Sequence, residues 1–514
     1  MKTISFLISA WAIVGLVQAQ QYDYNWFLGY DYDLSIEGIE GSYMNFHETP
    51  PVISPIVLGG IMGPSSAVIS DSLGVLQFYT DGCHIYNPAH QIMENGDTIN
   101  PGEVFDIQCD SDALGYTAGT QSCLILPDPG HARRYYLFHK HISYVYDSIF
   151  DVVSDTLFYS LVDMSFNGGL GRVVEKNVPL LWTPLTYGQL TAVKHANGRD
   201  WWIVNGGDQN NTYYKFLLDA EGVQTIPFQV IGNEASFNGS GGGQACFSPD
   251  GRYYARHSAP DGVFLFDFDR QTGMFSNFQH LMAPTQSFRA GIAFSPSSRF
   301  LYACTRDTIY QFDLEAPDIG HSRMVVAAFD GFQDFFNVTF FNAQLAPDCK
   351  IYINSFSGVS YLHVIHQPDD PGLDCQVEQH AVQLPYRYAR GMPFYPNYRL
   401  GPLVSGQVPD PPCYGQVDMT STEETAPAPH APMEVRLYPN PARDVVVLEW
   451  PQPLEQEVAV SVYDLYGRLR LEKRLEAGKN TLVLETTSLE NGVFFVHLKT
   501  GNGDVQVELI HVLK

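Results

Sequence analysis

Short apolar runs recur in pairs along most of the chain, each pair split by a polar turn. The clearest pair spans residues 246–254, where an apolar run enters Ser248-Pro249-Asp250-Gly251 and a second leaves at Tyr253. Pro presets φ, Asp bonds to nearby backbone and Gly accepts positive φ, so the stretch predicts strand, turn, strand. Weaker copies lie at residues 67–79, 124–138, 192–204, 293–302 and 344–353. A seventh, degenerate copy at 392–400 has Pro396-Asn397 at its turn. The turn prolines at 249, 296, 347 and 396 are about fifty residues apart, the period of one four-stranded propeller blade.

The fourth copy predicts a complete blade. Its third strand, Val263-Phe264-Leu265-Phe266, is apolar on both faces, which suits a sheet covered on both sides. The seventh copy runs out at Gly401-Pro402, whereas the N-terminal region has spare strands at 26–30 and 42–46. The two termini are therefore expected to share one blade, since closing the ring removes free sheet edges. The reading is all-β: a β-propeller over residues 20–405, of seven blades with six or eight as neighbouring counts. Two β-sandwiches form the runner-up fold, and the regular period disfavours them.

Composition adds destination. Residues 4–17 are an apolar run after Lys2, too short to span a bilayer comfortably, and Val17-Gln18-Ala19 has small residues where a signal peptidase needs them. Residues 1–19 are thus expected to be a signal peptide cleaved after Ala19, and Gln20 in place of Cys does not indicate a lipid anchor. No transmembrane segment is expected in the mature chain. With 56 acidic and 29 basic residues the formal charge is −27, a field that repels nucleic acid and anionic membranes. The eight cysteines suit an oxidising compartment. Cys109 with Cys123, and Cys349 with Cys375, are the shortest loops to close, with buried free thiols as the alternative.

Residues 406–432 are rich in Pro, Thr and Glu and read as an extended linker. Residues 433–514 carry short alternating strand runs, and about 80 residues of these fit one small β-sandwich. Within them stand Leu437-Tyr438-Pro439-Asn440-Pro441-Ala442, Val462-Tyr463-Asp464-Leu465-Tyr466-Gly467-Arg468 and Leu489-Glu490-Asn491-Gly492-Val493-Phe494-Phe495. These blocks closely resemble the C-terminal type A sorting domain of the type IX secretion system. The resemblance implies a Bacteroidota protein that meets the type IX secretion machinery. It also implies Sec export to the periplasm, passage over the outer membrane, and a secreted or surface-attached product. Tyr438, Pro439, Asn440, Pro441, Gly467 and Gly492 are its motif positions. The body, through Leu76-Gln77-Phe78-Tyr79-Thr80-Asp81-Gly82, resembles WD40-like or YVTN-like propellers of secreted proteins, which implies a fold and no chemistry.

Candidate chemistry is sparse. No G-x-S-x-G, H-E-x-x-H, P-loop or EF-hand pattern stands out. His139 and His141 would share one strand face and could hold a metal edge-on, against a plain reading as two surface histidines. Asp208 lies in the oxygen-rich loop 205–211, which could serve calcium or simply turn a hairpin; no other cofactor is expected. More suggestive, a long polar residue stands at the start of most inner strands: Gln121, Gln189, Gln244, Arg289, Gln344 and Arg390. Such starts share one channel mouth, where amide and guanidinium donors could hold a carboxylate, phosphate or sugar. The plain alternative is that each satisfies backbone groups where blades meet. The expected function is an exported or cell-surface propeller that binds a glycan, peptide or protein partner. An extracellular lyase, lactonase or hydrolase working at the mouth is one alternative, and a structural part of the cell surface or motility apparatus is the other.

Overall fold

The computed structural model describes residues 20–30, 40–109, 115–116, 119–146, 150–236, 243–258, 261–285, 289–388, 390–404, 413, 435–440, 442–454, 456–464, 469–489, 492–500 and 505–512. The expected signal peptide, nearly all of the linker, Pro441 and Gly467 lie outside the described residues. The chain divides into two compact units, 1–418 and 419–514.

The first unit is a β-propeller whose described residues form seven antiparallel sheets. Blade 1 comprises Asn25–Gly29, Gly41–Asn45 and Val52–Ile56. Blade 2 comprises Ala67–Ser70, Leu76–Thr80 and Ile85–Tyr86. Blade 3 comprises Cys123–Pro127, Arg134–Tyr146, Phe150–Asp163 and Arg172–Leu185. Blade 4 comprises Thr191–Lys194, Trp201–Gly206, Thr212–Asp219 and Gly222–Val230. Blade 5 comprises Gln244–Phe247, Tyr253–Ser258, Gly262–Asp269 and Met274–Leu281. Blade 6 comprises Gly291–Phe294, Phe300–Cys304, Thr308–Asp313 and Met324–Ala328. Blade 7 comprises Ala343–Leu345, Ile351–Ile353, Tyr361–Ile365 and Val377–Gln383.

Strand Gly262–Asp269 shows what holds the blades together. Successive side chains of a strand point to opposite faces. Phe264, Phe266 and Phe268 pack with Trp202 and Tyr213 of blade 4, whereas Val263 and Leu265 pack with Ile292, Leu301 and Phe312 of blade 6. Both faces are therefore core, as the doubly apolar pattern requires. The turn before it also behaves as its residues dictate. Gly251 takes φ 74°, its N–H donates to Ser248 O, and the Ser248 hydroxyl donates to Asp250 Oδ1 at 2.6 Å.

The seventh copy departs from expectation. Residues 392–400 contribute no ladder strand, so the termini do not share a hydrogen-bonded sheet. The stretch runs instead as a strap past the ends of several blades. The Tyr395 hydroxyl donates to Asn25 O (2.8 Å), Asn397 Nδ2 to Pro249 O (2.8 Å) and the Tyr398 hydroxyl to Ile125 O (2.7 Å). Arg399 pairs with Asp23 at 2.5 Å, and Arg270 donates to Gly401 O at 2.6 Å. Two prolines in 393–396 remove ladder donors, so side chains rather than backbone join the C-terminal stretch to blade 1.

The disulfides also correct the expected pairs. Cys83 bonds Cys109 and Cys349 bonds Cys413, while Cys123 and Cys375 are buried free thiols, as is Cys304. Cys123 opens the inner strand of blade 3 and faces the core, where Cys109 does not reach it. Short sequence separation favours closure only when the fold brings the partners to bonding distance.

In the second unit Arg436–Tyr438, Val445–Glu449 and Thr481–Glu485 form one sheet. Val458–Asp464, Leu469–Leu475, Gly492–Thr500 and Val505–Val512 form the other. Val446, Leu448 and Leu484 of the first share one core with Val460, Val496 and Ile510 of the second, which makes the unit a small β-sandwich. Among the motif positions, Tyr438 ends a strand and donates to Glu449 Oε2 at 2.9 Å, Asn440 follows Pro439 in the turn, and Gly492 opens a strand. No helix of the described residues is long and apolar enough to cross a membrane.

Candidate functional site: the channel and its mouth

The inner strands of blades 3 to 7 converge on a channel of about 70 Å³, lined by Gln121, Thr191, Gln244, Ile292, Gln344 and Asn397 among others. That volume holds a few waters; a ligand of metabolite size needs several hundred Å³. The glycines at the strand starts explain the closeness. A Cβ on Gly188, Gly243 or Gly291 would stand 1.8–1.9 Å from the carbonyl oxygen of Thr120, His257 or Phe341 respectively.

Three of the four glutamines spend their amides on backbone. Gln121 Nε2 donates to Ala245 O, and Ala245 N donates back to Gln121 Oε1, both at 2.8 Å. Gln244 repeats the arrangement on Ala343 (2.6 and 3.0 Å) and also accepts from Ile292 N at 3.0 Å. Gln344 repeats it on Tyr395 with longer bonds of 3.4 and 3.2 Å. Each amide thus stands in for a neighbouring peptide group and rivets alternate inner segments. Gln189 Nε2 reaches Ser258 Oγ (3.1 Å) and His257 O (3.4 Å). Gln121 and Gln189 adopt φ near +60° to +67° to make these contacts.

The two arginines behave differently. Arg289 and Arg390 stack on one ring, with their guanidinium carbons 4.3 and 5.2 Å from the Phe356 centroid. Arg289 donates to Thr339 Oγ1 at 3.3 Å; among the described residues neither arginine has a carboxylate partner. Burial, then the neighbouring Arg306 and Arg390 charges, hold Arg289 below the ordinary guanidinium range. Among the described residues the ion-pair partner of Arg306 is Asp307, at 3.8 Å. Arg289 precedes the inner strand of blade 6, Arg390 precedes the strap, and Phe356 sits in the loop after the second strand of blade 7, so loops of two kinds meet at one mouth.

Beyond them the mouth face continues through Tyr30, whose phenol feels both Arg390 and Arg387 although burial dominates and raises its pKa. Arg387 lies over the Phe335 ring at 4.4 Å, and Phe335 meets Phe336 edge-on at 4.9 Å. Phe335 and Phe336 are 61% and 49% exposed. Asp334, Phe335, Ser360, Pro385, Tyr386 and Arg387 border an open cleft of about 440 Å³. Phe356, Tyr30 and this cleft escaped sequence reasoning. Their only signal is aromatic residues inside otherwise polar loops, Ser355-Phe356-Ser357-Gly358 and Asp334-Phe335-Phe336-Asn337.

The metal candidates do not converge. His139 is fully buried, bonded through Nδ1 to Asn100 Oδ1 (2.6 Å) and through Nε2 to Ser160 Oγ (2.9 Å). Burial pushes its pKa down to about 3, so it is neither a surface histidine nor an open ligand. His141 pairs with Asp155 at 2.8 Å. Asp208 accepts from Gln209 (3.0 Å), while Asn210 accepts from Thr212 N and donates to Asp208 O, so the loop's polar groups shape a hairpin. Asp81, Cys83 and His84 come within metal-binding distance of one another. Cys83 is disulfide-bonded, however, and the Asp81 carboxylate accepts from Cys83 N, His84 N and the Tyr86 hydroxyl.

Residues 436–512 match the family described as secretion system C-terminal sorting domain, so the second unit is a type IX sorting domain and supports export. No curated protein matches the chain. Solved structures similar to it include a protein from Lactobacillus plantarum, at 11% identity and TM-score 0.39, covering 71% of this chain and 98% of that one. A candidate 6-phosphogluconolactonase from Bacteroides uniformis shares 13% identity at TM-score 0.43, with 71% and 98% covered. The extracellular domain of a one-component system from B. thetaiotaomicron shares 10% at TM-score 0.29, with 93% and 73% covered.

Proposed function

We propose that the chain is an exported binding propeller whose ligand docks on the mouth face, gripped by Arg289 and Arg390 about Phe356. One observation carries this: two guanidiniums without a described carboxylate partner flank one aromatic ring, in a chain where acids outnumber bases 56 to 29. A half-buried aromatic ring with two charged donors over it is what a binding site offers and what packing alone does not require. The strap at 392–403 supports entry from the mouth rather than from the opposite end, where it passes under blades 3 to 5.

The enzyme reading lacks a matching cluster among the described residues. Asp23, the carboxylate bordering the channel, is taken by Arg399, and His139, His257 and His363 are buried in second and third strands. The sorting domain supports a site of action beyond the inner membrane. In our reading a Bacteroidota cell carries the chain over the outer membrane, removes the domain and leaves the propeller released or attached to the surface. The test is a glycan and peptide array probed with the full chain and with Phe356→Ala. A ligand held by the first and lost by the second, at equal unfolding temperature, supports the reading. Ligands held equally by both, or turned over chemically, contradict it.

A further inference from the structure

The mouth face has features that select a class of ligand, and this inference rests on the binding reading above. We propose that it recognises an acidic polysaccharide, with the carboxylate of one sugar between Arg289 and Arg390 and a neighbouring sugar ring against Phe335.

Charge selects an anion. Guanidinium is planar and donates two parallel N–H groups, the match to a carboxylate. Arg306 and Arg390 both repel Arg289, so an anion between Arg289 and Arg390 relieves a repulsion that Asp307 offsets in part. Phe356 gathers the two guanidiniums over one ring, where a single carboxylate can meet both.

The neighbouring cleft then distinguishes a glycan from an acidic peptide. Its rim offers an exposed Phe335 ring, fit for the apolar face of a pyranose, backed by Arg387. It also offers carboxylates. Asp334 accepts from Ser360 N and Oγ at 2.9 and 2.8 Å, and Glu40 accepts from the Tyr386 hydroxyl. Carboxylates beside a binding cleft accept sugar hydroxyls readily, and the side chains of an acidic peptide have no hydroxyls to offer them. Tyr30 links the two halves: its phenol lies near both Arg390 and Arg387, and its hydroxyl approaches Gly358, two residues beyond Phe356. A cleft of about 440 Å³ suits a sugar or two, whereas the channel does not.

The experiment titrates the full chain with alginate and with polygalacturonate, each beside its carboxyl-reduced neutral form. We expect at least one acidic polymer to bind, and its neutral form to bind at least tenfold more weakly. Arg390→Gln should weaken the acidic polymer tenfold or more, and Phe335→Ala should weaken both forms alike. Unfolding temperatures of the variants serve as the control for folding. Equal binding of acidic and neutral forms overturns the carboxylate inference and leaves the binding reading standing. Equal or tighter binding of polyglutamate overturns the glycan inference. Failure of both acidic polymers while the array yields another ligand lost in Phe356→Ala overturns this inference alone. Failure of every ligand on the array overturns both.

Discussion

Gln121 and Ala245 stand 124 positions apart in the chain, yet exchange a pair of 2.8 Å hydrogen bonds across the channel. The side chain behaves as an extra peptide unit laid between blades 3 and 5. Gln121→Ala would leave the N–H and C=O of Ala245 unpaired in a buried site. Each orphaned group costs about 1–3 kcal/mol, so a loss of about 2–6 kcal/mol is expected in denaturant unfolding. Gln244→Ala should cost as much or more, since its oxygen accepts from two backbone donors. Loss within 0.5 kcal/mol for both would show that the rivets are idle.

The strap makes a second prediction. Asp23 and Arg399 are both under a tenth exposed and bond at 2.5 and 2.9 Å. Removing one partner of a buried pair strands the other charge and costs about 3–5 kcal/mol. Arg399→Met should therefore destabilise the propeller strongly, and the double variant Asp23→Leu with Arg399→Met should recover part of that loss. Additive losses in the double variant would contradict a direct pairing.

Acid sensitivity follows from the buried histidines. Burial lowers His257 and His363 from 6.5 to about 4, and both are fully buried. Below pH 6.5 the unfolded chain takes up protons that the folded chain excludes until about pH 4. Stability is therefore full above pH 6.5 and falls as pH drops through that window, by up to about 3 kcal/mol per histidine. His257→Gln should flatten the slope of unfolding free energy against pH between 4 and 6.5. An unchanged slope would show that other groups set it.

Redox chemistry offers a direct count. Native protein, denatured under alkylation without reductant, should take four labels, at Cys123, Cys246, Cys304 and Cys375. Peptide mapping should join Cys83 to Cys109 and Cys349 to Cys413. Those pairs close spans of 26 and 64 residues, which the chain-entropy account converts to about 3.5 and 4 kcal/mol. Reduction should lower the unfolding temperature accordingly. A Cys349–Cys375 peptide would refute the pairing.

Much of the architecture was legible along the chain. The strand pairs, the period of the blades, the doubly apolar third strand and the sandwich of the sorting domain all rest on local alternation and turn residues. Those signals act over fewer than ten residues, so they survive in one dimension. The glutamines at the strand starts were legible as a recurring feature. Their partners were not, because Ala245, Ala343 and Tyr395 are backbone acceptors that carry no side-chain mark. Cys109 and Cys123 illustrate the same limit: fourteen positions apart, they lie on elements that face different ways.

By itself the sequence determined that this chain forms repeated antiparallel sheets, ends in a sorting domain, and carries arginines at two of the repeat starts. Each of these depends on residues adjacent in the chain, through turn geometry, alternation or a contiguous motif. Only the tertiary structure decided that residues 392–403 strap the propeller instead of closing its last sheet. It alone set Arg289 and Arg390, 101 positions apart, on the ring of Phe356, and left Gln121, Gln244 and Gln344 occupied with backbone. Contacts of that kind depend on how whole blades pack, and blade packing is fixed by the summed burial of many apolar side chains rather than by any local stretch.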